Sequence, residues 1–209
     1  EPYIKIENLS KKIKGTAVLD NINMEFFKGN VYGIRGINGS GKTMLFRAIC
    51  GLINPTEGQI TIDKKILHKD VSFPESIGVL IENPGFLPSY TGRYNLKLLA
   101  DIKNIINYEK IDETLNLVGL DCNDKRKYKQ YSLGMKQKLG IAQALMEDPD
   151  LILLDEPTNA LDEKSVENIL SIIEKEKAKG KLILIASHDK LILEQICDEI
   201  INIENGRII

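Results

Sequence analysis

Cysteine is scarce in this 209-residue sequence, and the few present do not cluster. Cys50, Cys122 and Cys197 are odd in number, widely spaced and free of any Cys-x-x-Cys pair. That speaks against a disulfide framework and against a thiolate zinc site, and leaves reduced cysteines packed as small apolar residues in a cytosolic protein. A surplus of positive charge is also missing: 28 Lys+Arg stand against 30 Asp+Glu. With a net charge of −2 there is no global basic footprint, so no direct nucleic-acid partner is expected. Long apolar runs are absent too. Leu151-Ile152-Leu153-Leu154 and Leu182-Ile183-Leu184-Ile185 are far too short to cross a bilayer and suit buried central strands. Any membrane role is therefore expected to come through a partner. Glu1-Pro2-Tyr3-Ile4 has neither the basic nor the apolar region of a signal peptide, and the start reads as one from which an initiator Met was removed. Of only two histidines, His68 falls in a linker and reads as a solvated loop residue.

What is present centres on Gly36-Ile37-Asn38-Gly39-Ser40-Gly41-Lys42-Thr43. The apolar run Val31-Tyr32-Gly33-Ile34-Arg35 before it predicts a buried strand, and Met44 to Cys50 after it has helical periodicity. Glycines let such a loop fold into a nest of N–H donors at a helix N-terminus, where orphan amides and the macrodipole favour phosphate. Lys42 would reach the terminal phosphates and Thr43 would place its hydroxyl on magnesium. Nucleoside triphosphate binding follows.

Around this loop the pattern is α/β. Tyr3 to Leu9 and Ala17 to Phe26 alternate as half-buried strands about a turn at Lys11 to Gly15, and Gln59 to Asp63 returns as a third short strand. Ile77 to Ile81 is an apolar strand running into the Pro- and Gly-rich segment Glu82 to Gly92. Phe86, Leu87 and Tyr90 on that segment fit a docking surface or a loop packed on itself. Tyr94 to Ala100 and Tyr108 to Val118 have helical spacing, which makes the insertion mostly helical. Ser132 is a natural N-cap for a helix through Met146, a start that by itself only weakly suggests an anion site. Leu151 to Leu154 then delivers Asp155 and Glu156 to the end of a buried parallel strand, where ligands of α/β sheets gather. Asp155 suits a water-mediated magnesium contact and Glu156 an attacking water. A helix over Glu163 to Ala178, a strand over Leu182 to Ala186, Ser187-His188-Asp189 at a further strand end, and a closing hairpin complete the reading.

The ordered set of this P-loop, the Pro-rich loop, Tyr131-Ser132-Leu133-Gly134-Met135, Leu153-Leu154-Asp155-Glu156-Pro157-Thr158 and Ser187-His188-Asp189 resembles the ATP-binding cassette of ABC transporters over essentially the whole chain. The resemblance implies one ABC ATPase domain over residues 1–209: a P-loop NTPase fold with a mostly parallel core sheet, an antiparallel β layer, and a helical subdomain inserted at about residues 83–145. It implies ATP and Mg2+, with Thr43, Glu82 and Asp155 at the metal and Asn38, Gly39, Ser40, Gly41, Lys42, Thr43, Met44, Ile13 and Val18 at the nucleotide. Two cassettes, as a homodimer, would face head to tail. Ser132, Leu133, Gly134 and Met135 would then serve the partner's nucleotide, and Asp162 would ride on a loop reaching across. Glu156 becomes the catalytic base, and His188 contacts the γ-phosphate. A membrane permease would dock near Glu82 to Leu99, holding the chain at the inner face of the membrane.

Four departures from the family pattern stand out. Glu82 replaces a glutamine, adding negative charge and losing a donor. The signature has one glycine fewer than Leu-Ser-Gly-Gly-Gln. Met44 stands where a second hydroxyl is usual, and Ile13 where an aromatic stacks on adenine. Losing a stacking contact of roughly 1–3 kcal/mol weakens affinity by about 5- to 150-fold, so the phosphates must dominate the grip. Glu82, Pro84-Gly85-Phe86 and this signature look like the bacitracin-resistance and lantibiotic-immunity branch. The expected function is an ATP-hydrolysing transporter subunit; the alternatives are a soluble cassette acting on nucleic acid or ribosomes, and a nucleotide-gated sensor with little turnover.

Overall fold

The computed structural model describes all 209 residues. Three strands are buried along nearly their whole length: β3 (Val31–Arg35), and the almost wholly aliphatic β7 (Leu151–Asp155) and β8 (Leu182–Ser187). Such runs are stable only with both faces covered. They form the middle of a six-stranded sheet, completed by β6 (Ile77–Leu80), β9 (Glu199–Glu204) and β10 (Arg207–Ile208), in the order β10-β9-β3-β8-β7-β6. Every pairing is parallel except the edge hairpin of β9 and β10. A second, antiparallel sheet has the order β2-β1-β4-β5, with β1 at Ile4–Ile13, β2 at Thr16–Phe26, β4 at Glu57–Ile62 and β5 at Lys65–Ile66.

Because successive strand side chains point to opposite faces, the central strands feed two cores. Ile34, Leu151, Leu153, Leu182 and Leu184 pack with Ile4, Ile6, Phe26 and Ile60 of the antiparallel sheet and with Leu45, Phe46 and Ile49 of α1 (Lys42–Ile49). Val31, Ile152, Leu154, Ile183 and Ile185 face the helical side: α2 (Gly92–Lys103), α3 (Tyr108–Leu117), α4 (Leu133–Leu145), α5 (Glu163–Ala178) and α6 (Lys190–Ile196).

Several local expectations change. The turn expected at Lys11 to Gly15 shrinks to Lys14-Gly15, with both residues left-handed at φ 48° and 82°. A two-residue turn of this kind matches the right-handed twist of its strands, so pairing runs on to Ile13 and Thr16. The same geometry recurs at Asp63-Lys64 and Asn205-Gly206. The loop after β6 divides the two readings proposed for it. Phe86 is buried edge-on against Tyr128 with ring centroids 5.3 Å apart, whereas Leu87 and Tyr90 face outward. β5, α6 and a 3-10 turn at Tyr128–Gln130 are elements too short for periodicity to reveal. His68 is exposed, as expected of a loop residue.

The helical side meets the sheet where α4 crosses β6. A Cβ at Gly78 would overlap the carbonyl of Ala144, and one at Gly140 would lie 2.7 Å from Leu80 Cδ1. Gly78→Ala forces backbone apart rather than a flexible side chain. It should cost about 3 kcal/mol and lower the melting temperature by roughly 6–12 °C, whereas Gly85→Ala, with open space around it, should melt like the parent. Equal melting curves for the two variants in thermal denaturation would remove this account of the packing.

Candidate functional site

Parallel pairing brings the C-terminal ends of β3, β7 and β8 to one edge, and a cleft of about 1100 Å³ opens there. Its floor is the loop from β3 to α1. Gly39 and Gly41 are left-handed at φ 83° and 114°, which lets the backbone curl over the start of α1. Among the six α-helices, α1 alone has no side-chain cap; Thr91, Asn107, Ser132, Asp162 and Asp189 cap the other five. A helix start leaves N–H groups without intrahelical partners, so this uncapped end suits an anion. Lys42 is buried, with its ammonium on the carbonyls of Gly36 (2.5 Å) and Ile37 (3.0 Å). Ser40 Oγ is buried without a partner at the same place.

One helical position on from Lys42, Thr43 Oγ1 donates to Asp155 Oδ2 at 2.7 Å. Burial pushes the Asp155 carboxyl above its usual range, Thr43 pulls it back, and neighbouring Glu156 adds to the rise. A hydroxyl and a carboxylate are hard oxygen donors, and no group of three His, Cys, Asp or Glu side chains closes a cage around them. That set fits magnesium, which keeps waters and substrate phosphates as its other ligands. Glu82 lies at the cleft too, left-handed at φ 55°, with its carboxylate on Arg47 Nη2 at 2.7 Å.

Glu156 follows β7 in the left-handed region at φ 49°, a conformation that costs a non-glycine residue on the order of 1–2 kcal/mol. It is held by donors from the end of β8. Ser187 Oγ donates to Oε2 at 3.1 Å, His188 N to Oε1 at 3.0 Å, and His188 Nδ1 lies 2.8 Å from Oε1. The arrangement can hold a charged carboxylate at the rim of a phosphate-binding floor.

Of the residues singled out in the sequence, Asn38, Gly39, Gly41, Lys42, Thr43, Met44, Val18, Glu82, Asp155, Glu156 and Leu133 line the cleft. Ser40 lies beneath its floor, and His188 joins through Glu156. Ile13 is not brought there: it ends β1 opposite Thr16, and Thr16, Ala17, Val18 and Gly206 line that end. Ser132, Gly134 and Met135 lie outside the lining as well, and Ser132 Oγ caps α4 by accepting from Met135 N at 3.1 Å. Asp162 is turned to its own helix, accepting from Ser165 N at 2.8 Å. Sequence reading gave no cleft role to Ser187, Gln137, Asn159, Asn205 and Gly206. For Asn205-Gly206 the signal was the turn dipeptide, and for Ser187 its place in Ser187-His188-Asp189; nothing local marks Gln137 or Asn159 for the cleft.

Residues 19–159 match the ABC transporter family model. The YybJ ABC transporter ATP-binding protein of Bacillus subtilis is 51% identical over 98% of this chain and 94% of its own. The bacitracin transport ATP-binding protein BcrA of Enterococcus faecalis is 37% identical, covering all of this chain and 68% of the relative. The lantibiotic transport ATP-binding protein SrtF of Streptococcus pyogenes is 38% identical over 99% and 89%. Among solved structures, the dimeric bacterial ABC transporter cassette MJ0796 superposes with a TM-score of 0.89 at 27% identity, covering 98% of this chain and 96% of that one. A post-hydrolysis dimer of the same cassette with ADP and Pi gives 0.88 at 26%, with the same coverage.

Asp155→Asn separates what the carboxylate does for the fold from what it does for a ligand. A carboxyl whose folded pKa is raised favours the fold when protonated and loses that contribution as pH rises through the raised value. Asparagine should therefore melt a few degrees higher than the parent at pH 7, with the gain shrinking toward pH 4, and should lose the extra stabilisation by Mg-ATP over ATP alone. A lower melting temperature at pH 7, or an undiminished magnesium effect, would contradict the assignment.

Proposed function

The chain belongs to the family of ATP-binding subunits of ABC transporters, and from that membership we propose that it hydrolyses ATP with magnesium to drive a separate membrane permease. The observation that supports turnover best is the clamped carboxylate of Glu156. Its two oxygens are turned by Ser187 and His188 at the rim of a cleft whose floor is built for phosphate.

In this reading, the first turn of α1 and Lys42 bind the phosphates, and Thr43 and Asp155 hold the metal. When bound, magnesium neutralises charge on the phosphate oxygens. Glu156 orients the attacking water and takes its proton, while His188 fixes the carboxylate and faces the γ-phosphate. On the base side Ala17 and Val18 offer apolar surface without an aromatic platform, so the phosphates carry most of the affinity.

The other half of each site comes from a second copy. Ile37 on the P-loop and Leu133, which lines the cleft at the start of α4, are apolar side chains left 74% and 72% exposed. A head-to-tail dimer covers both and brings Ser132 and Gly134 to the partner's ATP, with Asp162 at the seam. Leu87 and Tyr90, outward on the loop before α2, are the contacts offered to the permease. No helix is long and apolar enough to cross a membrane; in this reading the permease holds the chain at the cytoplasmic face. Relatives that transport bacitracin and lantibiotics point to antimicrobial peptides as the cargo class.

The contact between Arg47 and Glu82 favours a second reading, a nucleotide-gated subunit slowed by an extra carboxylate. Steady-state assays of the permease complex with Glu82→Gln decide between them: a tenfold gain supports gating, and a loss places the carboxylate in turnover. For the leading reading, Glu156→Gln should bind ATP with unchanged affinity, lose turnover by about 100-fold or more, and accumulate as a closed dimer on size exclusion. Unchanged turnover would sink the role of Glu156.

A further inference from the structure

Glu156 is held at its side chain by β8, but its backbone is held from elsewhere. Gln137, one turn into α4, donates from Nε2 to the Glu156 carbonyl at 2.9 Å. That carbonyl also accepts from Asn159 N at 3.2 Å, so it is satisfied from both the helix and its own loop. A second contact fastens the same two elements: a Cβ at Gly134 would sit 2.9 Å from the carbonyl of Ala160. The loop between these points is conformationally committed, with Glu156 and Ala160 both left-handed at φ 49° and 62°. Loops so shaped persist only where their surroundings over-determine them.

We propose that Gln137 is a positioning residue for Glu156, tying the backbone of the base to the helix that begins at Ser132. This rests on Glu156 being the base in the proposed hydrolysis. It deepens that reading by giving one chain a route between its two half-sites. The first turn of α4 serves the partner's nucleotide; the bond one turn later sets the carboxylate that acts on the chain's own. A shift of α4 on engaging the partner's ATP is carried by Gln137 to the Glu156 carbonyl, and the Ser187 and His188 contacts convert that backbone movement into carboxylate direction. A misplacement of about 1 Å in a catalytic group is enough to cost about 100-fold in rate. Gly134 also acquires a role inside its own chain, since the close approach to Ala160 leaves no room for a side chain there.

Gln137→Met keeps length and volume and removes the donor; Gln137→Glu keeps the shape and turns an acceptor toward the carbonyl. Steady-state kinetics of the full chain with Mg-ATP should show kcat reduced about tenfold in Gln137→Met and further in Gln137→Glu. In Gln137→Met, KM for ATP, nucleotide affinity and melting temperature should stay within error of the parent. Hydrogen exchange at residues 156–161 should accelerate in both variants without nucleotide. Unchanged kcat, a kcat loss matched by a fall in melting temperature, or unchanged exchange in that loop would each overturn the proposal. Glu156→Gln and the parent chain run alongside keep the premises apart. A parent that turns over ATP, with Glu156→Gln inactive and Gln137→Met at full rate, rejects the positioning role alone. A parent without turnover, or an active Glu156→Gln, rejects the hydrolysis reading beneath it.

Discussion

Parallel register among β3, β8 and β7 is the constraint on which the cleft depends. Arg35 pairs with Ser187 and Asp155 with Ala186, so the three strands end almost level and release their loops at one edge. Thr43 reaches Asp155 across 112 residues of sequence because of that alignment, and Ser187 reaches Glu156 across 31. A slip of one residue would turn every inward side chain outward. The aliphatic faces of these strands, packed into two separate cores, make such a slip expensive.

Unsatisfied polarity marks the functional end of that sheet. The cap of α1 is a glycine with no side chain to offer, Ser40 Oγ is buried without a partner, and Lys42 rests on two carbonyls of its own loop. Asp155 is buried enough to resist its charge. The bare helix start, the unpartnered Ser40 hydroxyl and the buried Asp155 are energetic liabilities in the free chain that a phosphate and a divalent cation would relieve. Binding therefore stabilises the fold as well as loading the site.

Besides the apolar core it shares with the central strands, the helical side of the molecule meets this edge at a few close backbone approaches: α4 against β6 at Gly78 and Gly140, and the first turns of α4 against the loop after β7. Close backbone approach at glycines makes the contacts rigid, while the left-handed residues Glu82, Glu156 and Ala160 sit where the two parts meet. Movement between the parts would strain those residues, two of which, Glu82 and Glu156, carry carboxylates that line the cleft.

The fold class, the phosphate nest, Asp155 and Glu156 were legible in the residue order. Their signals are local: an aliphatic run, glycines at fixed spacing, acids directly after a strand. Pairing of Ser187 with Glu156, Gln137 with the Glu156 carbonyl, and Arg47 with Glu82 was not legible. Serine, glutamine and arginine occur on any surface, and only the folded path brings these to a carboxylate 31, a carbonyl 19 and a carboxylate 35 residues away. The aliphatic runs of the central strands and the glycine spacing after Arg35 decided by themselves that this chain is an α/β protein with a phosphate-binding edge. Which donors hold the carboxylate there, and which residues line the base end instead of Ile13, was decided only by tertiary packing, because hydrogen bonds between distant segments leave no periodic trace in the sequence.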